Sequence, residues 1–335
     1  MEGRFFVGGL VTSRTFVLAA AASLLAAAPL IRIAAAQAVG PATPQGTPSD
    51  STLASAVVDS AGGDVAGSAK AGDPIFGRSG KLRARLLGGS GKGVLALPFL
   101  SSLLKGKLSE PGVHQVEDER LGRPLTFIRL LPFSEKVNGR IGAYRMGFWP
   151  AERWRGRTGA YRNPEGFIEV TPQNQDTRVS EHFRLRDFLT KDQFSIWPKY
   201  LVLREELIDK LELVIAELQR EGIPVRRMTV MSGFRTPQYN QRGVGGGGRA
   251  QDSRHQYGDA ADVFVDNDGD GWMDDLNRDG RVDHRDARLI LAAAERVERR
   301  HPDLAGGVGV YRATRAHGPF AHVDVRGRRA RWGSL

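Results

Sequence analysis

The sequence contains no cysteine. That excludes a disulfide scaffold, a thiol nucleophile, an iron–sulfur centre and a cysteine-ligated zinc. It also excludes a lipidated cysteine near the N-terminus. Histidine is scarce, with 7 in 335 residues, so any metal has to sit on a few His together with Asp or Glu. Acidic residues are in deficit, 38 against 48 Lys plus Arg, for a net charge of +10. A basic surface suits an anionic partner such as a wall polymer, a membrane face or nucleic acid, and charge alone does not choose among them. With 41% hydrophobic and 26% charged residues the chain is too polar for a membrane bundle, and its length suits one or two soluble domains.

One long apolar run exists, at the N-terminus. Arg4 and Arg14 precede an almost uncharged stretch over 15–31, and Ala36-Gln37-Ala38 follows. A basic start, an apolar middle and a small-residue end read as a secretory signal over 1–38. The rival is an uncleaved anchor, the only way this chain would contact a membrane; Pro29 and Arg32 speak against a clean spanning helix. Either way the remainder is expected outside the cytoplasm, in the periplasm or cell envelope. Residues 39–75 hold no aromatic and are rich in Ala, Gly, Ser, Thr, Pro and Asp, so they read as a disordered linker.

Residues 76–172 are expected to be a β-rich accessory region of unread role. LTFIRLL, GRIGAYRMGFW and GFIEVT are extended-type runs between Gly, Pro and Asn breaks. Tyr144, Trp149, Trp154 and Tyr161 within them are either core packed on the next domain or part of a module that grips a polymer or flanks an active cleft. From 180 the pattern turns helical. Ser180 with Phe183, Leu185, Phe188 and Leu189 predicts a short capped helix. Leu203, Leu207, Leu211, Val214 and Leu218 share one helical face, with Gly222 as the stop. MTVMSGF, AADVFV, VGVY and FAHVDV predict four strands. Together these give an α+β class: a small antiparallel sheet with flanking helices over 180–335, preceded by the small β-rich region.

The chemistry concentrates in Ser253-Arg-His255-Gln-Tyr-Gly258-Asp-Ala260-Ala-Asp262. Gly258 permits a sharp turn between His255 and Asp262, and Asp262 opens a strand whose alternate side chains share a face. His322 lies on the last predicted strand, with Asp324 on the same face. Two His and one carboxylate are a sensible zinc set, three protein ligands with one position left for water. Zinc there would acidify that water for attack on a carbonyl.

These residues carry a resemblance. Ser253, His255, Gly258, Ala260 and Asp262 fit the S-x-H-x-x-G-x-A-x-D signature of the zinc D-alanyl-D-alanine carboxypeptidases and related murein endopeptidases, the group with the hedgehog-type fold. AHVDV around His322 is similar to the branch ending in H-V-D, and Ser232 to Asn240 (SGFRTPQYN) fits its upstream motif. The resemblance covers roughly 180–335. It implies zinc on His255, Asp262 and His322, a substrate- or oxyanion-binding Arg235, and Ser253 beside the substrate. It also implies a general base two or three residues before the third ligand, where this chain has Phe320 and Pro319, which cannot titrate. Asp324 is the replacement, either as base or as the partner that orients His322; His317 is the runner-up. His114, His182, His284 and His301 carry no motif.

Between Asp262 and Asp286 stand nine Asp against three Arg. Asp266, Asp268 and Asp270 precede Gly271 and are followed by Asp274; Asp275, Asn277 and Asp279 precede Gly280 and are followed by Asp283 and Asp286. Both frames copy calcium-loop spacing with Gly at the turn, and the second resembles an EF-hand or dockerin loop running into its exiting helix. The expectation is an insert over 266–286 binding one or two structural calcium ions.

The chain therefore reads as an exported zinc metallopeptidase acting on peptidoglycan peptide stems, by D,D-carboxypeptidase or endopeptidase cleavage. The alternative is a non-catalytic, metal-stabilised wall-binding or signalling module. No nucleic acid is expected: beyond the charge and the RGRRARW tail, no recognition motif supports one.

Overall fold

The computed structural model describes residues 110–116, 125–153, 161–245 and 248–335, and the backbone of short strands between 56 and 93. The expected signal segment, most of the linker and Trp154 lie outside the described residues. Among the described residues no helix is long and apolar enough to cross a membrane.

The N-terminal half is β-rich, as its strand-type runs predict. β1 (Ala56–Val58) and β2 (Asp64–Ala66) pair antiparallel within the stretch read as a linker. β3 (Ile75–Arg78), β4 (Lys81–Arg85), β5 (Lys92–Gly93), β6 (Gly112–Val116) and β7 (Leu125–Arg129) form a five-stranded sheet in the order β5-β4-β3-β7-β6. β8 (Leu131–Pro132), β9 (Arg140–Ile141) and β10 (Tyr144–Arg145) follow, then the one-turn helix α1 (Pro150–Arg153). β11 (Gly166–Val170) lies between β8 and β12 (Lys199–Leu201) in a three-stranded sheet. That sheet spans the boundary the sequence suggests at 172–180. Tyr144, Trp149 and Phe167 pack in the same core as Phe183, Phe188 and Leu201.

The predicted helix is α2 (Glu205–Arg220). Its Leu207, Leu211, Val214 and Leu218 are buried, and Gly222 leaves it at φ 78°. The helix expected at 180–189 is instead a folded-back segment with a single 3-10 turn, Leu185–Phe188. Val179 and Ser180 donate to the Phe183 carbonyl, and Asp187 accepts from the Arg184 backbone N–H at 2.7 Å. Phe183, Leu185 and Phe188 are all buried, a spacing a helical face would not serve.

The second five-stranded sheet carries the site. β13 (Met228–Ser232) is followed by the short helix α3 (Pro237–Gln241), then by β14 (Ala260–Val265), α4 (His284–Arg300), β15 (Gly307–Tyr311), β16 (Phe320–Asp324) and β17 (Ala330–Gly333). The order is β13-β14-β16-β15-β17, antiparallel except for the parallel β15–β17 pair. Val263, Val265, Ala321, Val323, Val308 and Val310 are fully buried, and α4 packs on β15 and β16 with α2 against it. The opposite face carries Asp262, Phe264, Phe320, His322 and Asp324 by simple alternation. β17 takes in the end of the RGRRARW tail, which the sequence offered only as a cluster of charge. It forms an edge strand because Gly309, opposite Trp332, leaves room for the indole; a Cβ on Gly309 would lie 2.3 Å from Trp332 Nε1.

Candidate metal centre

The register of β14 against β16 sets Asp262 directly opposite His322. Cross-strand partners on one face of an antiparallel pair stand side by side, so two groups 60 residues apart meet without any loop to place them. His255 arrives from the 3-10 turn Arg254–Tyr257. Gly258 ends that turn at φ 65°, and a Cβ there would sit 2.2 Å from the Val202 carbonyl oxygen. Only glycine meets both conditions. The turn is pinned from outside: the Gly258 carbonyl accepts from the Arg204 N–H at 2.8 Å, and the Gln256 carbonyl from Trp149 Nε1 at 2.8 Å. Trp149 thus ties the β-rich segment to the loop that carries His255.

Three acceptor atoms converge. His322 Nδ1 is 2.8 Å from Asp262 Oδ1, His255 Nε2 is 3.2 Å from the same oxygen, and the two ring nitrogens are 3.2 Å apart. The far ring atoms decide the tautomers. His255 Nδ1 lies 2.7 Å from the Gly233 carbonyl, which can only accept, so Nδ1 carries the proton. His322 Nε2 lies 3.2 Å from Asp324 Oδ2, an ionised carboxylate, and donates likewise. In the neutral rings, two lone pairs and a carboxylate then point into one buried space. Such a set calls for a cation. Without a metal a proton must serve. Burial pushes the His322 pKa down, yet hydrogen bonds to the carboxylates of Asp262 and Asp324 outweigh it and carry it up to about 9. Burial pushes His255 down, and the paired imidazoles hold Asp262 well below its usual range despite burial. The donor set fits a four-coordinate zinc with three protein ligands.

Asp324 stands on the far edge of the His322 ring from Asp262. Its oxygens accept from Arg326 Nε at 3.0 and 2.9 Å and from the Gly307 N–H at 2.7 Å, while buried Lys210 donates to its carbonyl at 2.8 Å. Burial raises its pKa, but the bonds from His322 and Arg326 outweigh that and hold it below the usual carboxylate range.

A cleft of about 660 Å³ opens over the three ligands. Arg235 and Ser253 both line it. Arg235 Nη2 is 2.5 Å from Asp262 Oδ2, and its Nε donates to Ser232 Oγ at 2.8 Å. His317 lines the cleft too, with Nδ1 2.8 Å from the Gly318 carbonyl, and its ring stands edge-on to Phe320. Tyr161, read from the sequence as core or a flank of the cleft, lines it, and among the lining residues that the sequence reading missed are Tyr311, Arg326 and Trp332. Trp332 Nε1 donates to the Tyr311 hydroxyl at 2.7 Å, and its ring centre is 5.2 Å from that of His322. The signal was present in the alternation of β15 and β17, but nothing in the sequence sets that parallel register.

The acidic insert is built differently. Asp266, Asp268 and Asp274 bring oxygens within 4.8 Å of one another. Asp270, Asp275, Asn277, Asp279, Asp283 and Asp286 lie outside that group. Asp275 accepts from the N–H groups of Asp279 and Gly280, and Asp279 from that of Arg281. Asp283 caps α4, and buried Asp286 accepts from the N–H groups of Leu276, Asn277 and Asp283.

Residues 193–283 match the family model Peptidase M15. The match supports a metallopeptidase of that family. It includes His255 and Asp262 but stops before His322, which the sheet supplies. No curated protein and no solved structure matches the chain.

Proposed function

We propose that this chain is an exported zinc metallopeptidase that hydrolyses peptide bonds in the stem peptides of peptidoglycan, as a D,D-carboxypeptidase or a murein endopeptidase. The observation that carries this reading is the convergence of His255, Asp262 and His322 at the floor of a cleft. Zinc held there would supply Lewis-acid chemistry, polarising a carbonyl and acidifying a water. Arg235 reaches the same oxygens and is placed to hold a substrate carboxylate or steady a developing oxyanion. Ser253 borders the substrate. His317 lines the cleft and is not one of the three ligands, and it moves protons in this scheme. Asp324 is the positioning residue: engaged by Arg326, Gly307 and His322, it fixes the His322 tautomer and turns Nδ1 toward the metal. Export rests on the N-terminal segment, and the peptidoglycan partner on the family match with the motif resemblance.

We also propose that the insert takes calcium at Asp266, Asp268 and Asp274, with Asp270 and the second frame contributing at most a shared ligand. In support, β14 runs from Asp262 straight into Asp266, whose Oδ2 accepts from Thr229 Oγ1 at 3.0 Å on the neighbouring strand.

Incubation of the zinc-loaded chain with defined muropeptides tests the peptidase reading. Mass analysis should show a released D-Ala or a split cross-link, and none with His255→Ala. Stoichiometric zinc without any product would leave a binding module in its place.

A further inference from the structure

The metal cleft does not end at the metal. A second groove of about 300 Å³ shares Met231 and His317 with it. Both lie on the open face of the site sheet. Thr229 pairs with Phe264 across β13 and β14, and Phe264 shares its face with Asp262 by alternation. The track therefore runs across the strands, past the ligand cluster toward Trp332 on one side and toward Thr229 and Phe264 on the other.

The far wall comes from the acidic insert. Trp272 is 57% exposed, although it is among the largest apolar side chains of the chain. It leans on the loop after His317, where a Cβ on Gly318 would stand 3.1 Å from its ring. The floor is apolar, with Met231, Phe264 and Met273, and the rim is cationic, with Lys191 and Arg227. The acid in the wall, Asp266, is fully buried and already engaged by Thr229, by the Gly269 N–H at 2.8 Å and by Arg227 3.9 Å away. Arg227 is thus partly spent on Asp266, while exposed Lys191, which makes no ion pair within 4.0 Å among the described residues, is the rim cation turned to solvent. An exposed indole over an apolar floor, edged by positive charge and continuous with a catalytic cleft, fits one occupant.

We propose that this groove is a substrate subsite. It receives the stretch of an extended, carboxylate-bearing peptide that continues past the cleaved bond, with Trp272 as its wall. The proposal rests on the peptidase reading and sharpens it: a track open beyond the metal suits a substrate with chain on both sides of the bond, as in a cross-link.

The test uses the full zinc-loaded chain and three synthetic peptides. One has at least three residues on each side of the bond; the other two are truncated to a single residue on one side or the other. Trp272→Ala should raise KM about five- to tenfold for the extended peptide and for one truncation, with kcat within twofold, while the other truncation is unaffected. Trp272→Phe should restore most of the loss. Replacing the peptide's carboxylate by an amide should raise KM for the wild type and less so for Lys191→Ala. Equal KM for wild type and Trp272→Ala on every peptide overturns the subsite, as does an equal loss on both truncations. If the wild type hydrolyses none of the peptides, the peptidase reading fails, and fluorescence titration with the extended peptide then decides: saturable binding lost in Trp272→Ala upholds the groove, and no binding removes it.

Discussion

The molecule holds two clusters of side chains of the kinds that ligate ions, and they are built on opposite plans. At the metal centre the ligand atoms come from a turn and two paired strands, all buried, and each imidazole is tied at its far nitrogen. In the insert the acids come from one continuous stretch, only Asp266 and Asp286 are buried, and their oxygens largely accept backbone N–H groups of their own loop. The first arrangement cannot satisfy itself: three acceptors face one another, and only a cation resolves them. The second satisfies itself through turn hydrogen bonds and helix capping. Carboxylate spacing alone does not distinguish an ion site from a well-turned loop. Convergence of atoms whose other sides are already committed does.

The largest break in this comparison is removal of a ligand. His322→Ala should abolish stoichiometric zinc and lower turnover by at least about a thousandfold, a loss of roughly 4 kcal/mol of transition-state stabilisation. Metal analysis after dialysis, run beside the muropeptide assay, reads both; retained zinc with retained turnover would remove the centre. A smaller effect is expected from Asp324→Asn. The amide can still face His322 but loses charge and most of the Arg326 pairing, so zinc should bind about 10- to 100-fold more weakly, with activity recovered at high zinc. If excess zinc does not restore the rate, Asp324 takes part in proton transfer rather than positioning.

Much of this centre was legible before any coordinates. His255, Asp262 and His322 could be named because Ser253 to Asp262 and the AHVDV run resemble a zinc peptidase motif, with which the turn glycine and the strand alternation agree. The α2 helix, β14 and β16 followed from periodicity alone. What could not be read was long-range. The segment 180–189 has a helix-like composition but is held as a folded-back loop by Asp187 and the Phe183 carbonyl. Trp149 and Tyr161 read as part of a separate region, yet one pins the Gln256 carbonyl and the other lines the cleft. Trp332 sat in a basic tail, and its place beside His322 depends on the parallel β15–β17 register. Local pattern names the residues that carry chemistry; the walls around them are a property of packing.

The comparison sharpens at the insert. If calcium sits at Asp266, Asp268 and Asp274, millimolar calcium should raise the melting temperature by a few degrees, for a stabilisation of about 2 kcal/mol. Asp266→Asn should erase that shift and Asp279→Asn leave it, as followed by differential scanning calorimetry with and without a calcium chelator. A shift that survives Asp266→Asn would move the ion to the second frame. With zinc held constant, calcium removal should also slow hydrolysis, since β14 links Asp266 to Asp262; unchanged rates would separate the two sites.

The smallest effect comes from a pair that imitates the metal centre without being one. His182 Nδ1 lies 2.7 Å from Glu212 Oε2, about the spacing of His322 and Asp262, and the His182 backbone N–H donates to Glu212 Oε1 at 2.9 Å. Here a single imidazole meets a single carboxylate, and among the described residues they join no group of three ligand atoms, so a proton is all the contact requires. The hydrogen bond to Glu212 raises His182 above its usual 6.5, outweighing burial. Burial pushes Glu212 up, but the bonds from His182 and Ser180 win and hold it below 4.5. The signs fix a window. The raised His contributes fully below pH 6.5 and loses its contribution as pH rises through its folded value; the lowered Glu contributes fully above 4.5 and loses it as pH falls through its own. The pair therefore stabilises the fold most between those limits, by about 1 kcal/mol once solvent screening of the partly exposed ring is allowed for. His182→Gln should lower stability to urea chiefly between pH 5 and 6, and the difference from wild type should shrink toward pH 9. A difference that stays flat across that range would mean the contact is held by shape alone, and charge would then separate this pair from the metal centre less sharply than its geometry does.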